Sequence, residues 1–502
     1  MKKIISLLYP FLFALYPIIE LRNYNITYVD SASLIRPMLI SILCTGLIWM
    51  VLRWLMKDWQ KAGILTSLLV ISFFLYGHVF IQIESNFGSA IRHRYLILIF
   101  GGLLLSAGIY IQTKMKSPGL LNFLAAVGVI LILFSAIRSI QHDLSEYRSA
   151  REIRELQKSF LEETNQPNAA VKPDIYVILL DAHTSARTLQ NVFGYDESSF
   201  TQQLQDLGFY VAECAQSNYP ITNLSVTSMF YANYHQQPTL FPLYSSLAIE
   251  TLRSQGYQVI TFENRSNGHF SFAEDIRLSR NQIFQGNIDL TGGFSEFEIM
   301  LIKTSFARIA FDMPQLIPGF DAQRLQKLEY YEHYQQTFFI LDELKRLPQR
   351  DGPKFVFAHL LVPHSPFIFA ANGSFQWADD PVNGYISNVQ FIDSQIVPAV
   401  AEIIASSDVP PVIILMGDHG PTGVPNVDTP TTRMSILNAY YVNDDTKMDL
   451  YPTITPVNSF RVVFNNYFGT SYPLLDDLSY HTGNMNGFTP DTLVKNECPQ
   501  IP

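Results

Sequence analysis

Ile175-Tyr176-Val177-Ile178-Leu179-Leu180-Asp181 is an unbroken run of core-type residues closed by a carboxylate. Far downstream, Val412-Ile413-Ile414-Leu415-Met416-Gly417-Asp418-His419-Gly420 repeats that design. Runs that are uniformly apolar rather than alternating read as buried strands of a parallel sheet. Each run places its polar residue just past the strand's C-terminal end, where open α/β sheets bind ligands. Asp181, Asp418 and His419 together offer a divalent cation carboxylate and imidazole donors. Between the two runs lies Tyr219-Pro220-Ile221-Thr222-Asn223-Leu224-Ser225, a segment that supplies hydroxyl nucleophiles beside such a cation.

Outward from these runs the chain alternates. Strand patterns at 174–180, 257–262, 354–359, 411–416 and 435–442 are interleaved with helical periods at 197–206, 243–254, 386–406 and 457–468. This predicts an α/β domain with a largely parallel sheet flanked by helices.

The first third is different. Of the 502 residues 48% are hydrophobic and 16% charged, and the apolar excess crowds into stretches free of Asp, Glu, Lys and Arg at 4–19, 37–52, 62–83, 95–113 and 117–137. A spanning helix needs about 20 apolar residues, with flanking Lys and Arg able to snorkel. The reading is five transmembrane helices. Met1-Lys2-Lys3 before the first run also resembles a signal peptide, but no clear small-x-small cleavage site follows. Lys2, Lys3, Arg53, Lys57, Lys61, Lys114 and Lys116 lie on one side of these spans, and Arg22, Arg36, Arg92 and Arg94 on the other. That bias puts the N-terminus in the cytoplasm and everything after Ile137 outside. The expected organisation is a transmembrane domain at 1–137, an amphipathic juxtamembrane linker at 138–172 and a catalytic domain at 173–502. In the linker Ile153, Leu156, Phe160 and Leu161 share one helical face, suited to the membrane surface or to packing on the outer domain. The net charge of −10 argues against nucleic acid as a partner. Cys214 and Cys498 would face the oxidising side and are able to pair, but two free thiols are the expectation.

Four pieces carry the chemistry. Asp181 and the Gly417-Asp418-His419-Gly420 turn hold the cation, the glycines being read as allowing a sharp turn. His364, between prolines in Pro363-His364-Ser365-Pro366, is set to contact a phosphate or protonate a leaving oxygen. His359 ends a strand and serves likewise, or is a satisfied core histidine. Thr222 opens a helix-like stretch, where it is an N-cap or a nucleophile beside the helix dipole. Ser225 and Ser217 are its rivals. No further set of Asp and His that builds a second metal site is legible.

In this order the residues resemble the alkaline phosphatase/sulfatase superfamily: strand-Asp181, Thr222-x-x-Ser225, Pro363-His364-Ser365-Pro366, Gly417-Asp418-His419-Gly420. The multi-span anchor is similar to that of lipoteichoic acid synthases and phosphoethanolamine transferases. The resemblance implies one divalent metal ion (Mn²⁺, Mg²⁺ or Zn²⁺) held by Asp181, Thr222, Asp418 and His419. It implies a phosphorylated Thr222 with His364 contacting substrate; from the residues themselves, His359 and Ser225 are further candidates for substrate contact. Two departures separate the chain from formylglycine sulfatases. Ala182 follows Asp181 where they carry a second Asp, and Thr222-Asn223-Leu224-Ser225-Val226 lacks the Pro and Arg of their motif. The expectation is a phosphotransferase or phosphodiesterase of the cytoplasmic membrane, with a membrane lipid as donor and a glycan or lipid as acceptor. The alternatives are a sulfatase-like hydrolase of sulfate or phosphate esters, an inactive binding domain and, further off, a transporter.

Reporters active only in the cytoplasm or only outside, fused to the C-terminus, test the topology. Activity of the external reporter is expected. A cytoplasmic signal contradicts the orientation and any reaction on envelope acceptors.

Overall fold

The protein is described from a computed structural model, which covers residues 8–25, 31–87, 92–115, 118–163, 172–235, 243–263, 270, 272–280, 295–313, 322–425, 427, 429–442, 449–481 and 492–495. The strands are β1 (Ile175–Leu180), β2 (Phe209–Val211), β3 (Gln258–Phe262), β4 (Ile276–Leu278), β5 (Lys354–Leu360), β6 (Val412–Gly417), β7 (Asn438–Tyr441), β8 (Leu478–His481) and β9 (Thr492–Lys495). The quoted run forms β1, the middle strand of a seven-stranded sheet ordered β2-β7-β6-β1-β5-β3-β4. It runs parallel to both neighbours, β5 and β6. β3 and β4 extend the parallel part, and β7 pairs antiparallel with β6 and with β2. β8 and β9 form a separate antiparallel pair.

Successive strand residues point to opposite faces. Both faces of β1, β5 and β6 are buried, so the sheet is covered on each side. On one face Val177, Leu179, Phe357, Ile414 and Met416 join Phe230 and Phe460 in the main core. Those two rings, 5.3 Å apart, lie on helices 222–231 and 456–467. The register fixes the site: Leu180 stands opposite both Leu360 and Gly417, so Asp181 and Asp418 leave the sheet side by side.

The N-terminal helices are α1 (Tyr9–Tyr24), α2 (Ile35–Met56), α3 (Trp59–Phe87), α4 (His93–Lys114) and α5 (Pro118–Glu163). α2, α3, α4 and the 119–141 part of α5 are long and apolar enough to cross a membrane. α1 has 16 described residues, and the start of the first expected span lies outside them. Leu43, Leu47, Leu98, Leu103 and Phe134 are exposed on these helices, as lipid-facing residues are. The fifth span and the expected linker as far as Glu163 are one helix, α5. Residues 164–171 of that linker, and the side chains of its proposed amphipathic face, lie outside the described residues. The helix Pro381–Ser406 meets the same length and apolarity criteria, yet it flanks the sheet, burying Tyr385, Val389, Phe391 and Ile396.

Two compact units result, Met1–Arg148 with Ile283–Glu332 and Ser149–Gln282 with His333–Pro502. The proposed catalytic segment at 173–502 therefore lends 283–332 to the unit of the apolar helices. The reason is packing: the helix Glu296–Lys303 buries Phe297 against Ile18 and Leu34. Its Glu298 takes a two-pronged ion pair from Arg36 and closes a capping box on Ser295. Cys44 is free and Cys214 is disulfide-bonded, which overturns the free-thiol expectation for Cys214; Cys498 lies outside the described residues.

One ion pair ties the N-terminal ends of the central strands. Lys354 Nζ lies 2.5 Å from Asp174 Oδ2, and the Lys354 N–H donates to Asp174 Oδ1 at 3.1 Å. Lys354 is 2% exposed. Lys354→Met should cost about 2 kcal/mol, because it strands a half-buried carboxylate, and adding Asp174→Asn should recover most of that. Thermal melts of the three proteins check this; equal melting temperatures for the single and double variants contradict it.

Candidate active site

Asp181 ends β1 and enters a tight turn. Its N–H donates to Leu360 O, and the next residue, Ala182, sits at φ +66°. A left-handed alanine costs roughly 1–2 kcal/mol. What the turn achieves is direction: the Ala182 N–H donates to Asp418 Oδ1 at 2.9 Å. The glycines of Gly417-Asp418-His419-Gly420 act differently from the expected turn role, since neither has a positive φ. They make room. A Cβ on Gly417 would lie 2.1 Å from His183 O, and one on Gly420 2.0 Å from Thr432 O.

Each carboxylate has one oxygen in use and one left over. Asp418 Oδ1 accepts from the N–H groups of Ala182 and His419, both at 2.9 Å. Asp181 Oδ2 pairs with His359 Nε2 at 3.1 Å. Asp418 Oδ2 and Asp181 Oδ1 are buried, and among the described residues nothing donates to them. Both lie near a single atom, His419 Nε2, at 3.4 and 3.8 Å. His419 Nδ1 lies 2.9 Å from Gly420 O, so it donates there and turns the Nε2 lone pair toward the carboxylates. Ligand atoms of Asp181, Asp418 and His419 all fall within 4.8 Å of one another. Buried anionic oxygens without donors, converging with an imidazole lone pair, fit a divalent cation.

Electrostatics agree. Burial would raise the Asp181 carboxyl, but His364, His359 and His419 more than offset it and hold it well below the usual carboxylate range. Burial pushes His419 below its ordinary value; Asp418 pulls the other way, and Arg433 adds to the lowering. The lowering favours the neutral imidazole, the form in which a nitrogen can ligate a cation.

Thr222 is the first residue of the helix Thr222–Tyr231, and Ile221, not Thr222, is its N-cap. Released from capping, the Thr222 hydroxyl lies 3.2 Å from His419 Nε2. The first N–H groups of this helix have no intrahelical acceptor and favour an anion beside Thr222. The rivals are placed elsewhere. Ser225 is buried one turn on, its N–H bonded to Ile221 O, and the Ser217 hydroxyl donates to Tyr219 O at 2.9 Å. His364 is half-buried, its N–H bonded to Asp181 O and its ring 6.3 Å from that of His419. Its Nδ1 lies 2.6 Å from Ser365 O. His359, offered by the sequence as a substrate contact, is fully buried and orients Asp181 instead.

A second ionisable set was not legible. His183, Glu197 and Asp393 are all buried, with ligand atoms within 4.8 Å of one another. Burial, then Asp393, pushes the Glu197 carboxyl well above its ordinary value, and burial raises Asp393 against the pull of His183. The three come from a loop, a helix N-cap and mid-helix, and no local pattern joins them.

No protein-family model matches the chain, and no curated protein does. Among solved structures it is similar to the C-terminal periplasmic domain of EcEptC from Escherichia coli, in complex with Zn, at 11% identity and TM-score 0.42, over 66% of this chain and 94% of that one. It is similar to the integral membrane lipooligosaccharide phosphoethanolamine transferase A from Neisseria meningitidis at 15% identity and TM-score 0.33, over 88% and 89%. A protein in the alkaline phosphatase superfamily from Vibrio parahaemolyticus is similar at 11% identity and TM-score 0.38, over 63% and 75%. Likenesses at TM-scores under 0.5 decide no activity. The side chains must.

Asp418→Asn keeps one oxygen for its N–H donors and replaces the unbonded oxygen by an amide. Zinc affinity at this site should fall by at least about 100-fold, the upper range for mere supporting residues. In chelator the variant should melt no lower than the parent, because a like charge is gone. Calorimetric zinc titration and a melt check both; unchanged zinc binding contradicts the site.

Proposed function

We propose that this protein is a multi-pass membrane phosphotransferase that carries a lipid headgroup phosphate on Thr222 and passes it to an envelope glycan or lipid. The observation that carries the reading is the Thr222 hydroxyl, freed from capping and 3.2 Å from His419 Nε2, the same atom that the unbonded oxygens of Asp181 and Asp418 face. Asp181, Asp418, His419 and Thr222 would hold a divalent cation, with zinc, manganese and magnesium all compatible with mixed oxygen and nitrogen donors. Bound there, the cation would offset charge on the phosphoryl oxygens and acidify the Thr222 hydroxyl.

The chain's own groups divide the remaining work. The N-terminal amides of helix 222–231 orient the phosphodiester. Thr222 Oγ1 attacks phosphorus, forming one P–O bond as the P–O bond to the diacylglycerol oxygen breaks. In balance, the hydroxyl proton of Thr222 ends on the departing alcohol, and His364 is proposed as the imidazole that delivers a proton there. The second half runs in reverse: the acceptor hydroxyl attacks the phosphothreonine, and its proton returns to Thr222. The helical unit supports a lipid donor. An apolar recess of about 720 Å³, lined by residues such as Ile40, Phe73, Leu104 and Leu301, has the chemistry of a bound acyl chain. With five apolar helices preceding it, the sheet domain is assigned to the outer side of the cytoplasmic membrane.

Turnover of a headgroup-labelled phospholipid by the full-length protein tests this. Thr222→Ala should abolish transfer, and Thr222→Ser should retain a measurable fraction, because serine keeps a hydroxyl at the same place. Aryl sulfates should stay untouched. Transfer by Thr222→Ala at the parental rate contradicts the nucleophile and the reaction class together.

A further inference from the structure

His183 leaves β1 two residues after Asp181 and turns away from it into the domain. Its Nδ1 lies 3.0 Å from Thr184 O, the carbonyl of the next residue. Donation there leaves the Nε2 lone pair facing Asp393 Oδ1 at 2.9 Å and Glu197 Oε1 at 3.6 Å. Among the described residues nothing donates to either Glu197 oxygen or to Asp393 Oδ2 while both carboxyls are ionised, and all three atoms are buried. His183 is 0%, Glu197 2% and Asp393 6% exposed. Three carboxylate oxygens and one imidazole nitrogen thus converge in a buried place, and a bound cation or protons shared among His183, Glu197 and Asp393 must balance their charge.

The arrangement repeats that of His419: an imidazole clamped by the carbonyl of its own next residue, its other nitrogen turned to two carboxylates with unbonded oxygens. It shares no residue with that site. We propose that the protein holds a second divalent cation, structural rather than catalytic, between His183, Glu197 and Asp393. The donor atoms lie within 4.8 Å of one another, a spacing compatible with common ligation at about 2.0–2.2 Å. Glu197 has both oxygens to offer, so three residues supply four donors. A doubly charged ion neutralises the two carboxylates, which removes the cost of burying them. A closed donor set without solvent access is the mark of a structural site, whereas a catalytic one keeps a position open. Its ligands come from the turn after β1, from the N-cap of the helix Ser198–Asp206 and from the middle of the helix Pro381–Ser406. The ion would therefore staple two flanking helices to the turn that carries Asp181. Nitrogen and carboxylate donors together select zinc or manganese over calcium.

This inference does not depend on the phosphotransferase reading, and one experiment separates them. Full-length protein, purified in detergent from zinc-supplemented cells and dialysed, is analysed for metal by mass spectrometry. Wild type should carry two zinc equivalents. Asp418→Asn should keep one, resistant to chelator. Glu197→Gln with Asp393→Asn should lose that equivalent and melt lower. Should the double variant fail to fold, Asp418→Asn from cobalt-supplemented cells should show visible d–d absorption from the buried ion. An Asp418→Asn protein with no bound zinc, manganese or cobalt overturns the proposal: the cluster is then a trio sharing protons. Two equivalents in Asp418→Asn instead contradict only the active-site assignment.

Discussion

Two carboxylates, Asp181 and Asp418, are buried with their unbonded oxygens turned to one imidazole nitrogen. At the separations here their mutual repulsion is roughly 3 kcal/mol in a medium of effective dielectric about 20. A fold does not hold such a pair together without cause. The local backbone is arranged to do so: parallel register brings the two strand ends level, Ala182 takes a left-handed turn to donate to Asp418, and Gly417 yields space to the His183 carbonyl. Strain and like charge at one sheet edge are the signature of a site organised for a ligand of opposite charge.

The helix at Thr222 completes that logic. A threonine there would ordinarily cap the helix, its oxygen consumed by backbone N–H groups. With Ile221 as the cap residue, the hydroxyl is left at the position where the helix dipole and the carboxylate cluster meet. His364 approaches from a proline-bounded loop, its backbone N–H bonded to the Asp181 carbonyl. His359 works from below, fixing the Asp181 rotamer. Thr222, His364 and His359 are thus carried by separate elements that meet at the C-terminal end of the central strands.

The strands were legible because buried parallel strands leave a continuous apolar signature: 175–180, 354–360 and 412–417 were all expected within a residue or so. The helices flanking the sheet were read where their periodicity is clean, as at 456–467, and missed where polar residues dilute it, as in the 25-residue helix Ala322–Arg346. Edge strands β2 and β4, three residues each, are too short to show a pattern. Asp181, Asp418, His419 and Thr222 were legible because each sits at the end of a strand or the start of a helix. The division of roles was not. That His359 is buried under Asp181, and that the two glycines serve close backbone approach, depend on neighbours far away in sequence. The His183, Glu197, Asp393 cluster is hidden for the same reason: it spans over 200 residues of chain and three kinds of local structure.

The central claim is a covalent phosphothreonine. The direct measurement is the mass of the Thr222 peptide after the full-length protein has been incubated with membrane phospholipids and quenched in acid. A gain equal to the headgroup phosphate, confined to the peptide that contains Thr222 and stronger when His364 is replaced, is the predicted result. An unmodified Thr222 peptide in protein that is demonstrably turning over lipid would contradict the account.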